Sequence, residues 1–197
     1  MKPENAQGRL PVVITLHGTG GSTANMAALC RKLAVRGFIS VAIDAPYHGE
    51  RKNGKGQSDY DDAIVRAYRG DSEHPFFYDT VWDVMRLVDY LQTRDDVDAN
   101  RIGLIGISKG GVETYLAAAI DPRISVAVPC IGMQSFSWAL RNNDWQGRIG
   151  TIQPAFDAIA KGEGVTKPDS AFVKKFYDRV APKIDSEFDG PQMIALI

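Results

Sequence analysis

Apolar residues gather along this chain in blocks of two distinct periodicities. Pro11 to Leu16 (PVVITL) and Phe38 to Ile43 (FISVAI) are short, continuous, β-branched runs that read as buried strands. Between them Met26, Leu29, Cys30 and Leu33 recur at helical spacing, with Ser22 placed to cap the first turn and Gly37 where a helix would stop. Strands that are apolar throughout and joined by a helix predict a parallel sheet with helices on both faces. Tyr78 to Thr93 carries Val81, Val84, Val88 and Leu91 as one stripe, with Asp83 and Arg86 on other faces, which predicts a second covering helix. After a turn over Asp95 to Asn100, Ile102 to Ile107 (IGLIGI) predicts a third strand. Gly110 to Ile120 (GGVETYLAAAI) follows as a small-residue helix able to lie close on the sheet, and Ile124 to Val128 as a fourth strand.

Two stretches break this pattern. His48 to Pro75, with Asn53, Gly54, Lys55 and Gly56, is polar and reads as a surface excursion holding a short helix near Asp61 to Tyr68. Its charge run Arg51, Lys52 and Lys55 reads as a solvated loop. Beyond Gly132 the pattern is helical and loop-like, with Trp138, Trp145, Phe156, Phe172 and Phe176 as apolar residues that either anchor helices or line a pocket. The expectation is one α/β domain, with a core over residues 1–134 and a helical, lid-like segment over 135–197.

Composition changes this picture little. A length of 197 residues suits a single domain, and the net charge of -1 offers no field for nucleic acid or an anionic membrane. The start, MKPENAQGRL, lacks the apolar core of a secretory signal, and no apolar run approaches the ~20 residues of a membrane span, so a soluble, cytoplasmic protein is expected. Cys30 and Cys130 lie in apolar surroundings without a Cys or His at ligand spacing; they read as buried reduced thiols, and no metal is expected.

The candidate chemistry lies at two glycine-rich turns. Gly106-Ile107-Ser108-Lys109-Gly110 has the Gly-x-Ser-x-Gly form between an apolar strand and a small-residue helix, the context of a nucleophile elbow. There the serine backbone is strained, a side chain at either flanking glycine would collide with a neighbouring element, and the helix N-terminus favours developing negative charge. His17-Gly18-Thr19-Gly20-Gly21 follows the first strand and so emerges at the same sheet edge. The backbone N–H groups of Lys109 and Thr19 are the natural pair of donors for the oxyanion of acyl transfer. A phosphate cradle is the rival reading of that loop, but no Lys-Ser/Thr follows and the spacing is not that of a dinucleotide fingerprint. The Lys109 side chain is expected to point to solvent or across the pocket mouth, His17 to anchor its loop, and Asp44 to accept loop hydrogen bonds.

HGTGG after one strand, IDAPYHGE after the next, and the block DVMRLVDYLQTRDDVDANRIGLIGISKGG together resemble the α/β-hydrolase superfamily. Within it the resemblance is to the branch of acetyl xylan esterases, dienelactone hydrolases and prolyl-oligopeptidase-like enzymes, and it spans roughly Leu10 to Gly132. The resemblance implies hydrolysis of a small-molecule carboxylic ester or similar acyl bond through an acyl-enzyme at Ser108, without cofactor or metal. It also implies an acid and then a histidine after the serine, yet His17, His48 and His74 all precede Ser108. His48 is expected to shape the pocket and His74 to lie at the surface, while Asp144 and Asp157 follow the fourth strand where some relatives carry the acid. A version of a longer hydrolase lacking its last strands is therefore expected, weak or inactive for want of a base, with the apolar Met193 to Ile197 leading toward a further strand. An unpaired sheet edge would then favour self-association. The other reading is a non-catalytic module of the same fold that binds a small ligand or a partner.

Overall fold

A computed structural model describes residues 1–4, 6–54 and 57–197. Lys55, assigned above to a solvated charge run, and Gly56 lie outside the described residues. The central sheet is parallel and four-stranded in the order β2-β1-β3-β4, built from β1 (Leu10–Leu16), β2 (Ile39–Ile43), β3 (Val97–Ile107) and β4 (Ile124–Cys130). Helix α1 (Thr23–Val35) links β1 to β2, α2 (Gln57–Arg69) and α3 (Tyr78–Gln92) precede β3, and α4 (Lys109–Ile120) joins β3 to β4. Parallel strands need such crossovers, and β-branched runs fill the strands as expected.

Each face of the sheet follows from strand alternation. Thr15 on β1 and Ser40 on β2 both meet Cys30 of α1, at 3.4 Å to its sulfur and 2.9 Å to its carbonyl. The alternate residues Val12, Ile14 and Leu16 point the other way into the main core, where α3 and α4 pack. Register carries the Thr15 side across the sheet to Ile105 and Val128. There α1 no longer reaches, and Val126 and Val128 remain 60% and 42% exposed. Cover on both faces therefore holds for the β1–β2 half and fails on one face of the β3–β4 half.

Several boundaries differ from the pattern reading. The turn expected at Asp95 to Asn100 is largely strand: Leu10 pairs with Val97 and Val12 with Ile102, the ladder passing through a bulge that absorbs the polar residues between. Asp83 pairs with Arg51, and Arg86 with Asp89. Arg51, read as solvated, also donates to the Asp44 carbonyl at 3.0 Å and so ties its loop to α3. The supposed surface excursion contains the whole of α2, with Tyr60, Ala63, Ile64 and Tyr68 buried. Its polar composition misled because its apolar face is covered from far along the chain.

That cover is the C-terminal segment, whose helices are α5 (Phe136–Arg141), α6 (Gln146–Ile149), α7 (Gln153–Gly162), α8 (Ser170–Val180) and α9 (Gly190–Ile194). Helices α7 and α8 pack on α2. Phe156 and Phe176, 5.4 Å apart, and Phe136 and Tyr177, also 5.4 Å apart, form an aromatic seam with Phe76 and Phe77. Met193 to Ile197 forms no strand; Met193 is buried from α9 while Leu196 and Ile197 are exposed. No helix among the described residues is long and apolar enough to cross a membrane. Both cysteines are free, Cys30 buried as expected but Cys130 only half-buried, because the edge strand that carries it is incompletely covered.

Candidate functional site

Ser108 sits between β3 and α4 with φ 56° and ψ -112°, left-handed backbone that a serine rarely adopts. The flanking glycines explain how the turn fits. A Cβ on Gly106 would lie 2.0 Å from the Gly110 carbonyl oxygen, and one on Gly110 would lie 2.6 Å from the Leu16 carbonyl oxygen. Such contacts are far inside van der Waals range, so helix α4 can seat on β1 and β3 only with glycine at both positions. The backbone N–H of Ser108 donates to the Cys130 carbonyl at 2.9 Å, fixing the elbow to the edge strand.

The loop after β1 abuts the serine. A Cβ on Gly18 would stand 3.5 Å from Ser108 Cβ and 3.3 Å from the Ile107 carbonyl oxygen, and Thr19 is the next residue. Lys109 opens α4, where the first N–H groups have no intrahelical acceptor. Sequence spacing alone could not show that these two turns meet; parallel pairing of β1 with β3, Leu16 beside Gly106, brings them together.

His17 is fully engaged in its loop. The Ala45 N–H donates to its Nε2 at 3.0 Å, so Nδ1 carries the proton and donates to the Gly18 carbonyl at 2.8 Å. Burial pulls its pKa below the usual histidine value. His48 lies between the rings of His17 and Tyr60, at 5.0 and 4.6 Å. Its Nδ1 faces the Pro46 carbonyl at 2.8 Å and its Nε2 is buried without a partner. Burial, with the Lys109 ammonium nearby, lowers the His48 pKa to about 4. His74 is half-buried at the surface, donates from its backbone N–H to the Asp79 carboxylate at 2.9 Å, and makes an exposed ring contact with the Ser72 carbonyl. No histidine hydrogen-bonds Ser108 Oγ among the described residues. Asp44 accepts from the Thr23 and Glu50 N–H groups at 2.7 and 2.9 Å and so organises its loop.

The Lys109 side chain does not reach solvent or the pocket mouth. It is 1% exposed, pairs with the equally buried Glu113, lies 3.4 Å from Thr80 Oγ1, and stands 5.7 Å from the Tyr60 ring centroid. Burial raises the Glu113 pKa despite the cation beside it. The spacing was legible as an i,i+4 pair, and a lone glutamate inside an apolar helix needs a partner; α2 and α3 close over that pair, which sequence alone did not show. Asp189, also missed, is fully buried and accepts from the Phe136, Ser137 and Gly190 N–H groups at 2.7, 3.1 and 2.9 Å. The Asp-Gly-Pro run at the start of α9 was the available signal.

Ser108 opens into a cavity of about 480 Å³ whose other walls come from the C-terminal segment, including Phe136, Trp138, Trp145, Arg148 and Tyr177. The aromatics read from sequence thus divide: Trp138 and Trp145 line this cavity, whereas Phe156 and Phe172 anchor helices to each other. Asp144 is also on the cavity wall, while Asp157 is on an exposed helix face, accepting from Gln153 at 2.7 Å. Among the described residues no cluster of His, Cys, Asp and Glu could hold a metal ion.

Residues 1–136 match the family described as acetyl xylan esterase (AXE1). The uncharacterized protein YcjY of Escherichia coli (strain K12) is 30% identical over 182 residues, covering 92% of this chain and 53% of that protein. The acetyl esterase Axe7A of Xylanibacter ruminicola is 26% identical over 135 residues, 64% of this chain and 30% of that one. The acetyl xylan esterase structure from Paenibacillus sp. R4 superimposes with a TM-score of 0.68 at 22% identity, covering 100% of this chain and 58% of that chain, and shares the fold. The chain spans about half the length of the curated relatives it matches.

Proposed function

The chain belongs to the acetyl xylan esterase family, and on that premise we propose that it carries the nucleophile of a serine hydrolase acting on small carboxylic esters. Ser108 Oγ attacks the ester carbonyl, the C–O bond to the alcohol breaks, and water then releases the acid from the acyl-serine. Developing charge on the carbonyl oxygen is met by the N–H groups of Lys109 and Thr19. The observation that carries this reading is the left-handed Ser108 at a strand-to-helix turn, packed against the Gly18 loop and opening into an aromatic-walled cavity. Residues 135–197 act as a cap on that cavity within the same domain.

Because no histidine hydrogen-bonds Ser108 among the described residues, the proton passes to solvent and turnover by this chain is slow. Donors and binding alone retain part of a triad enzyme's rate enhancement, roughly 10³-fold over water. Treatment with a fluorophosphonate probe, followed by mass spectrometry, should place the adduct on Ser108. Ser108→Ala should lose both the adduct and hydrolysis of 4-nitrophenyl acetate. A Ser108 left unreacted by the probe, in a parent that hydrolyses the ester no faster than S108A, would instead favour a non-catalytic module binding a small ligand.

A further inference from the structure

The cavity beside Ser108 holds a cation, Arg148, that makes no ion pair with a carboxylate among the described residues. Arg148 on α6 is half-buried, and its guanidinium stands 6.0 Å from the Phe77 ring centroid. The Gln134 side-chain oxygen accepts from Nε at 3.3 Å, and with that amide turned end for end it accepts from Nε and Nη2, both at 3.0 Å. Among the described residues no carboxylate oxygen comes within 4.0 Å of Arg148, Asp144 on the same cavity wall included. Burial pulls its pKa below the ordinary arginine value, yet a guanidinium stays charged in proteins. Its contacts are a neutral amide and an aromatic face, with Glu113 acting on it only from beyond ion-pair distance, and a partly desolvated charge so held is costly. The remaining N–H donors form a planar fork of the kind that matches a carboxylate.

We propose that Arg148 anchors a carboxylate on the substrate, so that the cavity takes esters whose flat, apolar body bears an acid group. Trp138, Trp145, Phe136 and Tyr177 supply surfaces for that body. Substrate enters with its acid at Arg148 and its ester carbonyl at Ser108, and no bond to Arg148 forms or breaks. The proposal rests on the reading of Ser108 as nucleophile only for the second half of that statement; the anion site stands independently.

The test uses matched pairs that differ only in charge. Binding of 4-hydroxybenzoate and 4-hydroxybenzamide is measured by calorimetry or ligand-observed NMR, and kcat/KM with 4-acetoxybenzoate and 4-acetoxybenzamide. The acid should be preferred over the amide about tenfold or more, as for a hydrogen bond to a charged group, both in the parent protein and in S108A. Arg148→Gln should abolish the preference. Gln134→Glu gives Arg148 a resident carboxylate in a side chain of the same size and should abolish it as well, which decides the matter if R148Q fails to fold. Equal binding of acid and amide by the parent, or an undiminished preference in R148Q or Q134E, overturns the site. Acid-selective binding with S108A hydrolysing as fast as the parent would leave the site standing and remove the hydrolase reading.

Discussion

Removing one member of the Lys109–Glu113 pair should destabilise the protein far more than removing both. Each side chain is 1% exposed, and the pair is enclosed by Thr80 and the Tyr60 ring, so neither charge can be rehydrated without opening the core. Lys109→Met leaves a buried carboxylate whose Oε2 already lacks a partner, and Glu113→Leu leaves an ammonium over an aromatic ring. Breaking a buried pair from one side costs about 3–5 kcal/mol, which for a chain of this size corresponds to a fall of roughly 6–20 °C in Tm. The double variant K109M/E113L removes both charges and fills the space with apolar atoms, and such replacements are neutral or stabilising by about 1–4 kcal/mol. Urea denaturation followed by tryptophan fluorescence, run on all four proteins, gives the coupling energy directly. It should exceed about 3 kcal/mol. If K109M alone costs under about 1 kcal/mol, the ammonium is hydrated in solution and the electrostatic account of the elbow's support is wrong.

Three further outcomes follow from the same geometry. Gly106→Ala drives a Cβ to within 2.0 Å of the Gly110 carbonyl oxygen and should cost more than the ~1–3 kcal/mol of ordinary overpacking, seen as a lower urea midpoint or loss of soluble protein; a neutral effect would mean that α4 is not seated on β3. His48 is held neutral with a pKa of about 4 against an ordinary 6.5, so the unfolded chain binds the extra proton first as pH falls. Its contribution is therefore complete above pH 6.5 and is lost progressively toward pH 4; His48→Phe should flatten that decline in urea midpoint, His17 keeping a part of it, and an unchanged slope would refute the assignment. Val126 and Val128 on the uncovered face of β4 should drive self-association at high concentration, and Val128→Lys should shift the protein toward monomer in size-exclusion chromatography with light scattering. Equal masses for parent and V128K at every concentration would show that this face is not sticky.

Much of the fold and part of the site were legible in the residue order. The strands β1 and β4, the helix stripe Val81, Val84, Val88 and Leu91, and the glycines around Ser108 are local signals: periodicity and steric necessity act within a few residues, and they fixed a parallel α/β sheet with a serine at a sharp turn. What local pattern could not carry is cover and company. Whether α2 is surface or core depended on α7 and α8, roughly a hundred residues later, and whether Lys109 faces water depended on Thr80 and Tyr60 closing over it. Arg148 and Ser108, 40 residues apart in the chain, share one cavity only because α6 folds back over the elbow. Burial and charge compensation are properties of the packed whole, so the tertiary structure alone decided which polar residues are solvated, which are paired, and that Arg148 meets an amide and an aromatic ring in place of a carboxylate.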